Sequence, residues 1–256
     1  MGKVSVTYLN NCGIMLESGK ILAMIDGITA DDNMFDVQSD TLKAFIDKKL
    51  RNFNGRKVML FTHGHKDHYD DLRVLDYIKK NLIDHLVISL DEKLTPNCTS
   101  AAITNRNIFT MNCNEKESGM IEMEEGMTVH FYRTRHLPYE WYDGAPHYSV
   151  HIGIEDKNYI MIGDTDAEQV EWLLSQCPFR IDGLFINPAV LGKEEWIKPL
   201  FDKRIANIYV YHLASEAADR FGYRKFAEKK YDLYRKRLPN LKLLLNGMEL
   251  SNVECG

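Results

Sequence analysis

The chain has 256 residues, 45% hydrophobic and 27% charged, which is ordinary globular composition with enough length to bury a core without disulfide or metal staples. A formal net charge of -5 weighs against a dedicated nucleic-acid binder, which carries a basic excess. Five cysteines, odd in number and scattered, exclude a disulfide framework and a zinc knuckle, and fit a reducing compartment.

In chain order, Val4 to Leu9, Gly13 to Glu17 and Ile21 to Ile25 read as short strands, the last two joined by a Ser18-Gly19-Lys20 turn. Leu42, Phe45, Ile46 and Leu50 have helical spacing. Lys57 to Phe61 is a short apolar strand, Leu72 to Ile83 returns to helical period, and Leu86 to Leu90 is another buried strand. Residues 91 to 126 mix turn residues with brief apolar pieces and predict no element. Strands follow at Val129 to Arg135, Ser149 to Glu155 and Tyr159 to Ile162. The pattern then alternates: helix Ala167 to Leu174, strand Gly183 to Ile186, helix Glu194 to Phe201, strand Ile208 to Tyr211, and a long helix from Ser215 to about Arg237. Many strands and then β-α alternation indicate stacked sheets covered by helices. No linker, low-complexity tract or repeat divides the chain, so one domain over 1–256 is expected.

The strongest chemical signal is Thr62-His63-Gly64-His65-Lys66-Asp67-His68, which directly follows a buried strand and precedes a helix. Alternate side chains of an extended segment point the same way, so His63 and His65 can grip one ion. Asp67 and His68 lie past the turn and can reach a second. Imidazole plus carboxylate without thiolate suits zinc, iron or manganese. A solvated His-rich loop is the bland alternative, but such loops rarely place three His and an Asp against a strand end.

Three more strands finish on a potential ligand: His136 after Val129 to Arg135, Asp164 after Tyr159 to Ile162, and His212 after Ile208 to Tyr211. Sites in layered α/β proteins gather at the carboxyl ends of strands. Asp164 could instead cap the next helix, though Thr165 and Asp166 stand nearer its start. His212 alone reads as a buried structural imidazole. His136 has rivals in His130, His147 and His151; two of these fall inside strands, and His147, which begins one, is the second choice.

The His-x-His-x-Asp-His run, with a downstream His, Gly-Asp and His in order, resembles the signature of the metallo-β-lactamase superfamily. The resemblance extends from Ile25-Asp26-Gly27 to His212. It implies an α/β fold, a four-layer αββα sandwich of two mixed β-sheets with metal at one edge. By the same likeness His63, His65 and His136 hold a first metal, Asp67, His68 and His212 a second, and Asp164 bridges them. Asp26 resembles the buried aspartate that braces the metal loop from behind. The cofactors implied are two divalent ions, zinc first, with manganese or iron as alternatives.

Two departures narrow the likeness. His136 opens a bulky segment, Leu137-Pro138-Tyr139-Glu140-Trp141-Tyr142-Asp143-Gly144, and no insertion of cap-domain size separates Asp164 from His212. The second disfavours the RNA-processing branches and leaves the general zinc-dependent hydrolase branch, which includes lactonases and phosphodiesterases. The implied chemistry is hydrolysis by a hydroxide clamped between ions roughly 3.5–4 Å apart. Asp67, as catalytic residue, hydrogen-bonds it and carries the proton to the leaving group. Tyr69 is a further hydrogen-bond candidate, or a surface tyrosine.

The expected substrate is a small ester-like molecule, a lactone or phosphodiester, in a pocket shaped by Tyr139, Trp141 and Tyr142, with His147 nearby. Core packing is the alternative for these rings. The basic run on the last helix (Arg224, Lys225, Lys229, Lys230, Arg235, Lys236, Arg237) reads as a solvated face rather than a nucleic-acid groove. An iron-dependent oxidoreductase of persulfide or dioxygen chemistry, a nuclease, and a non-catalytic module are the competing readings. With no signal-peptide pattern and no uncharged apolar run of bilayer length, a cytoplasmic protein without membrane association is expected. Nothing in the sequence speaks to oligomeric state.

Overall fold

Strand after strand in this chain is apolar on both faces, which calls for two sheets each covered twice. The computed structural model describes residues 3–31, 35–91, 93–102, 105, 107–123, 126–138, 144–245 and 250–251. Strands β1 (Ser5–Tyr8), β2 (Ile14–Glu17) and β3 (Ile21–Ile25) form an antiparallel meander. Against β3, β4 (Arg56–Leu60), β5 (His85–Ile88) and β6 (Ile108–Thr110) add in parallel. The second sheet begins with antiparallel β7 (Ser118–Glu122), β8 (Met127–Arg133), β9 (Tyr148–Ile154) and β10 (Lys157–Met161). It continues in parallel through β11 (Gly183–Ile186), β12 (Ile208–Val210) and β13 (Leu241–Leu243). Strand β14 (Leu250–Ser251) pairs with β1, so each mixed sheet has seven strands.

The period of two decides which side chains go where. Ile21, Ala23 and Ile25 of β3 point between the sheets, where Val150 and Ile152 of β9, Phe185 of β11 and Tyr209 of β12 meet them. Leu22 and Met24 point the other way, onto Leu42, Ile46 and Leu50 of α1 (Asp40–Asn52) and Val74 and Tyr77 of α2 (Asp71–Lys79). The second sheet does the same with Leu184, Ile186, Ile208 and Val210. These pack on α4 (Val170–Ser175), α5 (Glu194–Ile197) and α6 (Tyr223–Tyr234). The result is the expected αββα sandwich.

The structure departs from the sequence reading in a few places. Residues 91–126 contain α3 (Pro96–Ala102), β6 and β7, and β13 follows the last helix. The last helix starts at Tyr223 rather than Ser215, because Gly222 at φ 71° sits in the left-handed region and breaks the pattern. The helix expected at Glu194 to Phe201 tightens to a 3-10 turn after Ile197, with Pro199 in its first turn. The basic run on α6 is partly occupied: Lys230 Nζ donates to Gly192 O at 2.9 Å and Arg224 pairs with Glu228 at 3.3 Å. Among the described residues no helix is long and apolar enough to cross a membrane.

Strands β4, β8, β10 and β12 each stop two or three residues short of His63, His136, Asp164 and His212. A single-residue bridge between His136 and Thr165 then ties two of these loops together.

Candidate metal centre

The loop after β4 carries His63 and His68 with one ring nitrogen held by protein and the other turned inward. Asp26, wholly buried, is the anchor. Its Oδ1 accepts from Thr62 N at 2.8 Å, and its Oδ2 accepts from Thr62 Oγ1 at 2.7 Å and His68 Nδ1 at 2.9 Å. Having donated its hydrogen to Asp26, Thr62 Oγ1 can accept from His63 Nδ1, 3.1 Å away. His136 Nδ1 donates to Leu137 O at 2.8 Å. The inward nitrogens of His63, His68 and His136 are therefore Nε2, each in the tautomer a metal needs.

These atoms gather in two groups. One is His63, His65 and His136; the other is Asp67, His68, Asp164 and His212. Within each group the ligand atoms lie within 4.8 Å of one another. Asp164 faces both: its Oδ2 is 3.4 Å from His136 Nε2, and its Oδ1 is 3.3 Å from His212 Nε2 and 3.7 Å from His68 Nε2. Asp67 Oδ2 lies 3.2 Å from His212 Nε2 and 3.5 Å from His68 Nε2.

The donor set suits divalent ions, and its electrostatics agree. Burial, reinforced by the His68 charge, holds the His63 imidazole well below its ordinary pKa; burial and His136 do the same to His65. Burial opposes charge on His68 and His212 too, but Cys12, Asp67, Asp26 and Asp164 outweigh it at His68, and Asp164 and Asp67 at His212, so both pKa values rise. Burial likewise resists ionisation of Asp164 and Asp67. His212 and His68 overcome it and keep both carboxyls below the usual carboxylate range. These imidazoles and carboxylates favour one another's charged forms, and a bound cation would take over the imidazoles' part.

The Asp164 turn is fixed on every side. Gly163 N donates to Tyr211 Oη at 2.8 Å, Asp164 N to His147 Nε2 at 2.9 Å, and Leu137 N to Asp164 O at 2.7 Å. Asn187 Nδ2 donates to Gly163 O at 3.1 Å and Thr165 O at 2.9 Å, clasping the turn from both ends. Gly163 has φ 55°, and a Cβ there would sit 2.7 Å from His147 Nε2, so only glycine fits. Asp166, not Asp164, caps the following helical turn, accepting from Glu168 N. His212 and Asp26 are themselves left-handed, at φ 60° and 48°, a conformation that costs energy and concentrates at working sites.

Other candidates fall elsewhere. His147, expected beside the pocket, is fully buried beneath it, with Nδ1 on Thr134 Oγ1 at 2.9 Å. His130 and His151 stack on each other across β8 and β9 at 5.0 Å, away from both groups. Tyr69 is buried and donates to Asp71 Oδ1 at 2.7 Å, so it is not a surface tyrosine. Tyr139, Trp141 and Tyr142 lie outside the described residues. Cys12, which the sequence did not single out, is close enough to His68 and His212 to form a third ligand group. Burial pushes its thiol up to about 12, and it donates to Asp67 O at 3.1 Å, so it braces the loop.

The fold has counterparts among solved structures. A metallo-hydrolase from the archaeon Ignicoccus hospitalis superposes with a TM-score of 0.62 at 17% identity over 97% of either chain. A metallo-β-lactamase fold protein from Bacillus subtilis gives 0.59 at 12% identity, covering 96% of this chain and 98% of that one. The chain has the metallo-β-lactamase fold. The β-hydroxylase CmlA of Streptomyces venezuelae, a diiron enzyme, shares this fold at 0.63 and 11% identity, with 97% of this chain matched to 54% of that one. No family model matches the sequence, and no curated protein is significantly similar to it.

In this fold the metal edge opens into a cleft of about 520 Å³ that Asp164 and His212 floor. Its walls include Leu137, Pro138, Pro188, Lys193, Trp196 and Tyr223. The sequence reading missed Asn187, although it follows β11 as the ligands follow their own strands. Its role is to hold a turn more than twenty residues earlier, a relation that spacing does not carry.

Two expected outcomes follow from this geometry. His136→Ala should lose about a thousandfold in turnover, and His147→Ala, which removes only a support for Asp164, about tenfold to a hundredfold. Steady-state rates of metal-loaded variants decide the order, and its reversal would exchange the two assignments. Asn187→Ala leaves two buried carbonyls without a donor. It should cost about 2 kcal/mol of stability and about tenfold in metal affinity, read by denaturant unfolding and chelator competition. Wild-type metal affinity in that variant would show that the clasp does not hold Asp164.

Proposed function

We propose that the chain is a metal-dependent hydrolase with two divalent ions, zinc first, acting on a small ester-like substrate such as a lactone or phosphodiester. One observation carries the reading: the Asp164 carboxylate turns one oxygen to each of two ligand groups at the floor of an open cleft. His63, His65 and His136 would hold one ion, Asp67, His68 and His212 the other, with Asp164 shared. Bound ions would supply Lewis-acid polarisation of the scissile group and lower the pKa of a water toward neutrality.

The protein's own groups do the rest. Asp67 is buried beside His212 and is the carboxylate placed to take a proton and return it to the leaving group. Asp26 and Thr62 hold His68 and His63 in one tautomer throughout. The cleft walls orient the substrate against Asp164 and His212. Against a nuclease stands the small cleft with charges of both signs, Arg135 and Lys193 beside Asp166 and Glu168. A cytoplasmic location belongs to this reading, supported by free Cys12, Cys98, Cys113 and Cys177.

An iron oxidoreductase is the second reading, favoured by the diiron hydroxylase that shares the fold. Lactone, phosphodiester, thioester and β-lactam substrates, each tested with zinc, manganese and iron, separate the two. Metal-dependent turnover of a lactone or phosphodiester is expected. Dioxygen consumption by the iron form with no ester cleaved under any metal would replace the hydrolase reading.

A further inference from the structure

The cleft is lined in part by groups that the metal centre does not use, Trp196 and Lys193 among them. Its outer wall is Trp196, half-buried at the base of the α5 turn and packed on the core behind it. The indole is held flat because Gly192 has no side chain: a Cβ there would lie 2.9 Å from the Trp196 ring. Lys230 fixes the same loop by donating to Gly192 O, and Asn187 caps its first turn by accepting from Ala189 N at 3.1 Å. Trp196 is thus a pre-set aromatic surface that loses little freedom when something packs on it.

Two cations reach this cleft, and they are not equivalent. Arg135 is spent on the protein: its Nε donates to Asp166 Oδ2 at 2.9 Å, and its Nη2 lies 2.7 Å from Asp166 and 3.3 Å from Glu168. Lys193 has its ammonium 4.2 Å from the Trp196 ring centroid and, among the described residues, one carboxylate within reach, the exposed Glu195 at 3.7 Å, a pair that water screens. The ammonium can turn from Glu195 to a ligand at small cost.

We propose that Trp196 and Lys193 are the specificity-determining pair of this cleft, and that its substrate joins a planar apolar body to an anionic group distal to the scissile bond. The body lies against Trp196 in place of the Lys193 ammonium, which rests 4.2 Å from the ring centroid, and the displaced ammonium meets the anion. This deepens the hydrolase reading and rests on it for the position of the scissile bond, but the recognition itself is a binding property.

The test is built on that distinction. Metal-loaded protein is titrated calorimetrically with terephthalate and with 4-methylbenzoate, which share a ring and one carboxylate and differ in the distal anion. Wild type should bind terephthalate about fivefold more tightly. Lys193→Met keeps the stem and loses the charge, so the ratio should fall toward one, and Lys193→Arg should restore it. Trp196→Ala should weaken both acids about tenfold while elemental analysis shows unchanged metal content. A parallel titration with 4-phosphonobenzoate tells a phosphate-reading pocket from a carboxylate-reading one by which distal anion binds more tightly.

Equal or absent binding of the two acids by wild type, or a preference that survives Lys193→Met, overturns the proposal. The 4-nitrophenyl esters of the same two acids report separately on hydrolysis. An anion preference without ester cleavage leaves the recognition standing and removes the hydrolase reading. Cleavage of both esters at equal kcat/KM, with no binding preference, does the reverse.

Discussion

Asp164→Ala is expected to reduce turnover by about a thousandfold or more, equivalent to about 4 kcal/mol of transition-state stabilisation, while the protein stays folded. The carboxylate faces both ligand clusters, at 3.4 Å from His136 and 3.3 Å from His212, so its removal weakens two sites at once. His212 then loses the main influence that raises its pKa, and His68 a lesser one. The fold should persist because its three apolar clusters lie between and outside the sheets and do not depend on the metal edge. Elemental analysis, circular dichroism and steady-state rates of the variant check the three parts. Normal metal content with normal turnover would remove Asp164 from the bridging position.

The second large effect is expected at Asp26, which belongs to neither ligand group but holds His68 of one of them from behind. Asp26→Ala strips the acceptors from Thr62 N, Thr62 Oγ1 and His68 Nδ1, all buried, and places alanine at φ 48°. A buried charge network broken on one side costs about 3–5 kcal/mol. His68 also loses the bond that turns its Nε2 inward, and metal affinity should fall about tenfold to a hundredfold. Asp26→Asn retains the shape and tolerates the left-handed backbone, so it should recover much of the stability but not the metal affinity. Urea unfolding and chelator titration of the two variants separate brace from packing. Equal metal affinity in Asp26→Asn and wild type would show that the carboxylate's charge is irrelevant to His68.

How far the sequence reaches can be judged residue by residue. The two sheets were legible because strands such as Ile21–Ile25 are apolar on both faces and sharply bounded. His63, His136, Asp164 and His212 stood out because each follows a strand, and strand ends of a layered fold converge on one edge. What escaped was set by contacts distant in sequence. Asn187 works through carbonyls of the Asp164 turn, and Cys12 through the carbonyl of Asp67, neither of which has a local pattern. Residues 91–126 hid α3 because the helix is a short polar piece. It is secured from outside, by Asp71 accepting from the backbone N–H groups of Asn97 and Cys98. The sequence drew attention to rings at Tyr139, Trp141 and Tyr142 by their density. The cleft's described aromatic walls are Trp196 and Tyr223, ordinary-looking residues in the sequence, the first seated against Gly192.

The central claim is a pair of ions sharing Asp164, and anomalous diffraction from crystals grown with zinc, with elemental analysis of the same preparation, tests it most directly. The account predicts two anomalous peaks per chain, one among His63, His65 and His136 and one among Asp67, His68 and His212, with Asp164 contacting both. A single peak that leaves one group empty at full zinc, or no peak near His63, would contradict it.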